Sequence, residues 1–107
     1  MDSEASWTVG RARRASPRYQ TAIDSELTSS GFRSSGRITD LSTLGARVRC
    51  VPIPAPGSAV RMRLPVKGWV SARVMWTSLQ EAGCRFDIPL SDEALASILS
   101  GADGTRR

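Results

Sequence analysis

Five residues in two short groups carry the side chains best suited to binding chemistry in this chain. Arg14 and Arg18 lie four residues apart, and Asp40, Ser42 and Gly45 follow in the pattern D-x-S-x-x-G. An arginine donates paired hydrogen bonds to a phosphate or to the O6 and N7 acceptors of guanine, whereas a lysine supplies only a point charge. An ionised aspartate only accepts hydrogen bonds, and a serine hydroxyl can donate or accept. These residue types suit a ligand that presents phosphates and base edges.

Alternating apolar and polar residues predict the β-strands that position these groups. The strands are predicted over about 22–28, 34–41, 46–51, 58–64, 69–77 and 82–88. Asp40 then lies at the end of the second strand, and Gly45 directly precedes the third. Pro17 disfavours a helix at the residue before it, so Arg14 and Arg18 are expected on an extended or turning arm.

The same alternation assigns each strand residue to one face of the sheet. The residues predicted to point inward include Ala46, Val48, Cys50, Val70, Ala72, Val74, Trp76, Ala82, Cys84, Phe86 and Ile88. Gly45, Arg47, Gly83 and Arg85 are predicted to point outward. If their strands are neighbours, the two glycines leave a bare patch of backbone on which a flat ring could lie. Gly83 has an alternative interpretation, in which it only relieves crowding at a bulge or a turn exit.

The strand pattern favours a closed sheet followed by one short helix. An open sheet of six short strands would expose two edges and much of its apolar face, so a barrel is expected. Ser91 is predicted to cap a helix over 91–100, with Leu95 and Ile98 on one side and Gly101 at its end. The fold class is therefore all-β with a short C-terminal helix.

The composition indicates a small basic domain that binds rather than catalyses. The chain has 107 residues, a formal net charge of +5 and a predicted pI near 10.6, which suggests an anionic partner. It has no histidine, the commonest general base and metal ligand, and no glycine-rich phosphate loop with a following lysine. Cys50 and Cys84 are too few to build a structural zinc site. We therefore expect no enzyme activity, no metal and no cofactor.

The sequence also predicts a cytoplasmic protein without membrane insertion. It contains no apolar run of the length that spans a bilayer and no signal-peptide core. Cys50 and Cys84 are expected to be buried, reduced thiols, as in a reducing compartment.

Beyond these local patterns, the order of the motifs resembles a PilZ domain. An R-x-x-x-R arm precedes a strand that ends in D-x-S-x-x-G, and alternating hairpins close on the segment Gly83-Cys-Arg-Phe86. The resemblance extends from about Arg11 to about Leu99 and implies a six-stranded antiparallel β-barrel that binds the bacterial second messenger cyclic di-GMP. The predicted division is a flexible N-terminal tail (1–10), a PilZ-like domain (11–100) and a flexible C-terminal tail (101–107). Within the domain, residues 11–20 form the arm, 22–88 the barrel and 91–100 the helix.

The resemblance implies the residues that bind cyclic di-GMP. They are Arg14, Arg18, Asp40, Ser42 and Gly45, with Gly83 and Arg47 beside the glycine patch and Arg13 directly before the arm motif. A long polar side chain at the position of Arg13 tends to accompany an intercalated ligand dimer in this family.

The predicted function is that of a single-domain receptor or adaptor in which the bound dinucleotide orders the arm and the signal passes to a partner protein. Two alternatives remain open at this point. One is a basic barrel that binds nucleic acid, and the other is a PilZ-like adaptor that binds a protein without nucleotide.

Overall fold

The computed structural model describes the backbone of residues 17–105 and the side chains of residues 17–101. The predicted N-terminal tail and the first part of the arm, with Arg13 and Arg14, lie outside the described residues. The described elements, in chain order, are β1 (Tyr19–Ser29), β2 (Phe32–Leu41), β3 (Gly45–Val51), β4 (Ala59–Leu64), β5 (Gly68–Ser78), β6 (Glu81–Phe86) and one helix, α1 (Asp92–Thr105).

As predicted, the six strands form a closed antiparallel barrel. Their order around the barrel is β1-β2-β3-β6-β5-β4. The barrel closes between β1 and β4, where Leu27 pairs with Met62 and Thr28 with Arg61. The Ser25 hydroxyl extends this seam by donating to the carbonyl oxygen of Arg63 at 2.7 Å. Closure leaves one continuous outer wall, on which side chains of neighbouring strands meet in register.

The barrel interior is filled by the side chains that the alternation placed there. Ala46, Val48 and Cys50 of β3 and Ala82, Cys84 and Phe86 of β6 are all buried, as predicted. The same prediction was wrong for Ile88, which is 80% exposed. β6 ends at Phe86 because the chain turns away before Pro89, a residue that has no backbone N–H for a further ladder hydrogen bond.

A β-bulge in β5 overturns the predicted orientation of Trp76. Val74 pairs with Cys84 and Trp76 with Gly83, so Met75 is an extra residue with no partner of its own on β6. An inserted residue shifts the alternation by one position, and every later side chain changes face. Trp76 therefore lies on the outer wall over Gly83 and not in the core.

Helix α1 begins at the predicted cap and packs on the end of the barrel. The backbone N–H of Ala94 donates to the Ser91 hydroxyl at 3.0 Å, as expected for an N-cap. Leu95 and Ile98 are buried in the same core cluster as the strand residues. The helix continues past Gly101, its predicted end, to Thr105. No helix in residues 17–105 is long and apolar enough to cross a membrane.

Candidate functional site

An aspartate held between two arginines marks the outer wall where β1, β2 and β3 meet. The Nη2 atom of Arg18 donates to Oδ2 of Asp40 at 2.8 Å, and Nη2 of Arg47 lies 3.2 Å from the same oxygen. The three side chains are partly buried, with exposed fractions of 26% for Arg18, 15% for Asp40 and 29% for Arg47. Two guanidinium groups and one carboxylate give this trio a net charge of +1 near the surface.

A second bulge aims Asp40 at the two arginines. Ile38 pairs with Val48 and Asp40 with Arg47, so Thr39 is the extra residue in β2. Without this insertion, Asp40 would share the inward face with Ile38, which is fully buried. The sequence predicted that Asp40 ends the strand, and the bulge determines which side of the wall its carboxylate occupies.

Ser42 shapes the turn between β2 and β3. Its side-chain oxygen accepts hydrogen bonds from the backbone N–H groups of Leu44 at 3.1 Å and Gly45 at 3.2 Å, and the residue is only 5% exposed. The Ser42 N–H also donates to the carbonyl oxygen of Gly45 at 2.9 Å. The hydroxyl thus holds the turn, and its role as a direct ligand contact stays a prediction.

Gly45 is buried, which corrects the expectation that it faces solvent. A β-carbon at Gly45 would overlap the backbone carbonyl oxygen of Cys84 and lie 3.1 Å from the α-carbon of Arg85. The close approach that requires a glycine here is therefore made by the backbone of β6. A side chain at this position would push β3 and β6 apart.

Gly83 faces outward as predicted, but its backbone is not bare. A β-carbon there would overlap Nε1 and Cε2 of the Trp76 indole and lie 2.7 Å from Cζ2, so the ring lies directly on this glycine. The structure thus favours the alternative in which Gly83 relieves crowding at a bulge. The indole N–H of Trp76 is buried and has no hydrogen-bond partner in the described part of the chain. Sequence reasoning missed Trp76 as an outer-wall residue, and the apolar Met75 at an outward position was its one available signal.

These residues form a row across four adjacent strands of the outer wall. Asp40 pairs with Arg47, Arg47 with Gly83, and Gly83 with Trp76. The row combines an acceptor, a cation, a stretch of backbone without side chain, and an aromatic ring. Such a surface has the groups needed to hold a flat base by its donor edge and its face and to neutralise a phosphate beside it.

Cys50 and Cys84 are free thiols inside the barrel, away from this row. Burial raises the pKa of both thiols, to about 12 for Cys84, and a hydrogen bond from Ser34 partly offsets the rise at Cys50. No group of histidine, cysteine or acidic residues able to hold a metal ion occurs among the described residues.

Fold and site together define a small closed β-barrel domain whose outer wall carries the row from Asp40 to Trp76. The family model for the PilZ domain matches residues 12–101, and the chain belongs to this family. The structure is similar to the crystal structure of the PilZ domain of CeSA from a cellulose-synthesizing bacterium. That match has a TM-score of 0.59 and 18% sequence identity, and it covers 85% of this chain and 99% of the other, so it shows a shared fold. No curated protein sequence matches the chain significantly.

Proposed function

We propose that this protein is a cyclic di-GMP receptor whose ligand binds on the outer wall at the trio of Arg18, Asp40 and Arg47. Membership in the PilZ family supports the ligand class, because PilZ domains are binding domains for this dinucleotide and not catalysts. The observation that carries the proposal is the position of Asp40. Its carboxylate contacts Arg18 and Arg47, and Arg47 is the cross-strand neighbour of Gly83, on which the Trp76 ring lies.

The chemistry of the trio matches that of the ligand. Cyclic di-GMP has two phosphates, each with a negative charge, and two guanines whose N1–H and N2–H groups are donors. An ionised Asp40 can accept both donors of one guanine, and the guanidinium groups of Arg18 and Arg47 can then turn from the carboxylate to the phosphates. Binding is therefore an exchange, in which guanine donors replace arginine donors at Asp40.

This exchange limits the expected affinity. A bidentate arginine contact is worth roughly 1–3 kcal/mol of discrimination. Ordering the arm opposes binding by about 1–2 kcal/mol for each backbone residue that becomes fixed. Binding in the range of about −8 kcal/mol, a dissociation constant on the order of micromolar, is therefore expected.

The remaining predicted residues support the site in two ways. Ser42 and Gly45 hold the turn and the strand spacing on which Asp40 and Arg47 depend. Arg14, four residues before Arg18, is proposed to contact a phosphate from the arm, and Arg13 to favour binding of two stacked ligands. Because the Trp76 ring covers Gly83, a base that approaches this glycine meets the indole first. Trp76 fluorescence should therefore report binding.

Calorimetric titration with cyclic di-GMP tests the proposal. Arg18→Ala, Arg14→Ala and Asp40→Ala should each weaken binding at least about tenfold, or 1.4 kcal/mol. Arg37→Ala is the matched control, because Arg37 forms an ion pair of the same type with Asp24 at 3.2 Å, on the same strand as Asp40 but on an exposed part of the wall. Equal affinity for the control and the three test variants would exclude the trio as the site. A wild-type protein that binds no cyclic di-GMP would instead favour the adaptor without nucleotide.

Nucleic-acid binding is the second candidate, favoured by the formal net charge of +5. Binding through many phosphates weakens steeply as salt concentration rises, whereas a site that reads guanine edges keeps much of its affinity. Titrations with cyclic di-GMP, GMP and a single-stranded oligonucleotide at low and high salt separate the two. We further propose that the receptor acts in the bacterial cytoplasm by passing the ligand signal to a partner protein.

A further inference from the structure

Four exposed arginines on β4, β5 and β6 form a basic wall next to the proposed ligand site. These residues are Arg61, Arg63, Arg73 and Arg85. None of them forms an ion pair with another residue of the described chain. Arg73 does donate to the carbonyl oxygen of Gly57 at 2.9 Å, which fixes its direction without neutralising its charge.

The basic wall includes a direct pair of like charges that the protein itself does not compensate. Arg73 lies directly opposite Arg85 across β5 and β6, and its other cross-strand neighbour is Ala59. Arg85 has Gly45 as its other neighbour. Like charges in directly opposed positions destabilise a sheet.

The second directly opposed arginine pair of the barrel shows the contrast. Arg37 lies opposite Arg49 across β2 and β3. Asp24 binds Arg37 at 3.2 Å, and Glu81 is the cross-strand neighbour of Arg49 on the other side. This pair is flanked by a carboxylate at each end, and the pair on the basic wall is not.

A small apolar cavity lies at the edge of the basic wall. It measures about 250 Å³ and is lined by Trp69, Ile88, Pro89 and Leu90, with Lys67 and Asp87 among its polar residues. Trp69 and Ile88 are 38% and 80% exposed, which is unusual for large apolar side chains that lie together. The cavity is smaller than the roughly 300–1,000 Å³ of typical small-molecule sites. Its size suits one large side chain of another protein.

The strand register places arginines along two sides of the cavity. Arg63 lies opposite the cavity residue Trp69, and Arg61 lies opposite Ser71, which also lines it. Arg73 is two residues beyond Ser71 on the same face of β5. A side chain that enters the cavity therefore brings its flanking residues over guanidinium groups.

We propose that the basic wall and the cavity together form a docking surface for an acidic segment of a partner protein, with one large apolar residue between carboxylates. Exposed arginine and tryptophan around a desolvated pocket are the residue types that dominate protein interfaces. A concave site whose size suits a single apolar side chain favours a protein partner over a lipid surface, which would bring many phosphates and acyl chains, and over a nucleic acid, which would bring phosphates and flat bases.

The docking surface is connected to the turn that carries Ser42. The N–H of Phe86 donates to the carbonyl oxygen of Leu44 at 2.8 Å, and the N–H of Leu90 donates to that of Thr43 at 2.8 Å. The turn is thus hydrogen-bonded to the segment that forms one side of the cavity, and we infer that a change in the turn shifts this segment. This coupling rests on the proposed function, whereas docking itself does not.

Selection of displayed random peptides on the full chain tests the docking surface, followed by fluorescence anisotropy with the enriched peptides. We expect enriched sequences with a large apolar residue flanked by Asp or Glu. Arg73→Gln combined with Arg85→Gln should weaken their binding at least about tenfold, and so should Ile88→Ser. Arg37→Gln combined with Arg49→Gln removes the same charge from the compensated pair and should leave binding within about twofold of the wild type.

Four results would overturn the docking proposal. The first is a selection that yields no binding peptides, and the second is enrichment of peptides without acidic residues. The third is an equal loss of peptide binding in both double variants. The fourth is binding of anionic phosphatidylglycerol vesicles or of an oligonucleotide with the same dependence on Arg73 and Ile88. Calorimetry with cyclic di-GMP on the same variants keeps the two proposals apart. A variant that loses peptide binding but keeps its dinucleotide affinity identifies residues of the docking surface alone. A variant that loses dinucleotide affinity but keeps peptide binding identifies residues of the ligand site alone.

Discussion

The contact between Trp76 and Gly83 predicts a strong energetic coupling between these two residues. A β-carbon at position 83 would overlap two indole atoms, so Gly83→Ala must displace the ring from the wall. The alanine itself is well tolerated in a strand. Its cost is therefore expected to come almost entirely from the displaced tryptophan.

The magnitude follows from the area that the ring covers. An aromatic side chain buries roughly 150–250 Å² when fully enclosed, and Trp76 is half-buried, so about 100 Å² is lost. At about 25 cal/mol per Å², Gly83→Ala or Trp76→Ala should each lower the free energy of unfolding by about 2–3 kcal/mol. In a protein that already carries Trp76→Ala, Gly83→Ala should raise the free energy of unfolding by about 0.5–1 kcal/mol, because alanine restricts the unfolded chain more than glycine does.

A double-mutant cycle measures this coupling. Urea denaturation of the wild type, both single variants and the double variant, followed by far-ultraviolet circular dichroism, gives the four free energies without relying on tryptophan emission. The coupling energy should be about 3 kcal/mol. If the effects of the two single substitutions simply add, the Trp76 ring does not rest on Gly83, and the contact between them is refuted.

Three further predictions concern the barrel itself. Gly45→Ala should lower the free energy of unfolding by about 3 kcal/mol or more in urea denaturation, because a β-carbon there overlaps the carbonyl oxygen of Cys84; a loss below about 1 kcal/mol would contradict this packing. Arg73→Glu should raise the free energy of unfolding by about 0.2–1 kcal/mol, because it gives Arg85 a neighbour of opposite charge. A decrease would show that the like-charge pair does not destabilise the sheet. Burial raises the pKa of Cys84 to about 12 from 9.0, so the thiol ionises first in the unfolded chain and stability falls as pH rises from 9.0 towards 12. Near pH 10 the ionisation of Cys84 should lower the free energy of unfolding of the wild type by roughly 1 kcal/mol relative to neutral pH. Cys84→Ala should lose this part of the pH dependence and keep the part due to Cys50; equal pH dependence of the two proteins would refute the assignment.

The fold could be predicted largely from local patterns. Side chains alternate along a strand wherever pairing is regular, so the buried faces of β3 and β6 follow from the sequence alone. Ser91 could be identified as a helix cap for the same reason, since its hydroxyl bonds a backbone N–H three residues away. These features depend on neighbours in the chain and on nothing more distant.

The errors arise where a partner strand or a packing contact decides the outcome. The extra residues Thr39 and Met75 are bulges defined against another strand, and the sequence of one strand does not reveal them. Gly101 is predicted to end helix α1, but it lies near the Val66 side chain without a positive φ, and the helix continues to Thr105. For Ile88, the following proline was a usable signal that the strand ends earlier.

The candidate site shows the same division. Arg18, Asp40 and Arg47 could be selected from residue type and spacing, whereas their mutual contacts depend on the bulge that turns Asp40 outward. Trp76 was not selected, because its place on the wall depends on the bulge at Met75 in β5. The sequence thus predicts which chemical groups are present, and the strand register determines which of them meet.

Contacts within the wall already occupy Asp40 and the Gly83 backbone, which the proposed ligand would use. Two arginines neutralise Asp40, and the Trp76 ring covers the backbone of Gly83. A ligand that binds here must replace these internal contacts, so its gain is the difference between two sets of similar interactions. If the proposed function holds, we therefore expect rapidly reversible binding with a dissociation constant on the order of micromolar. Because the internal contacts come from four different strands and the arm, we expect their exchange also to change the shape of the wall that a partner would meet.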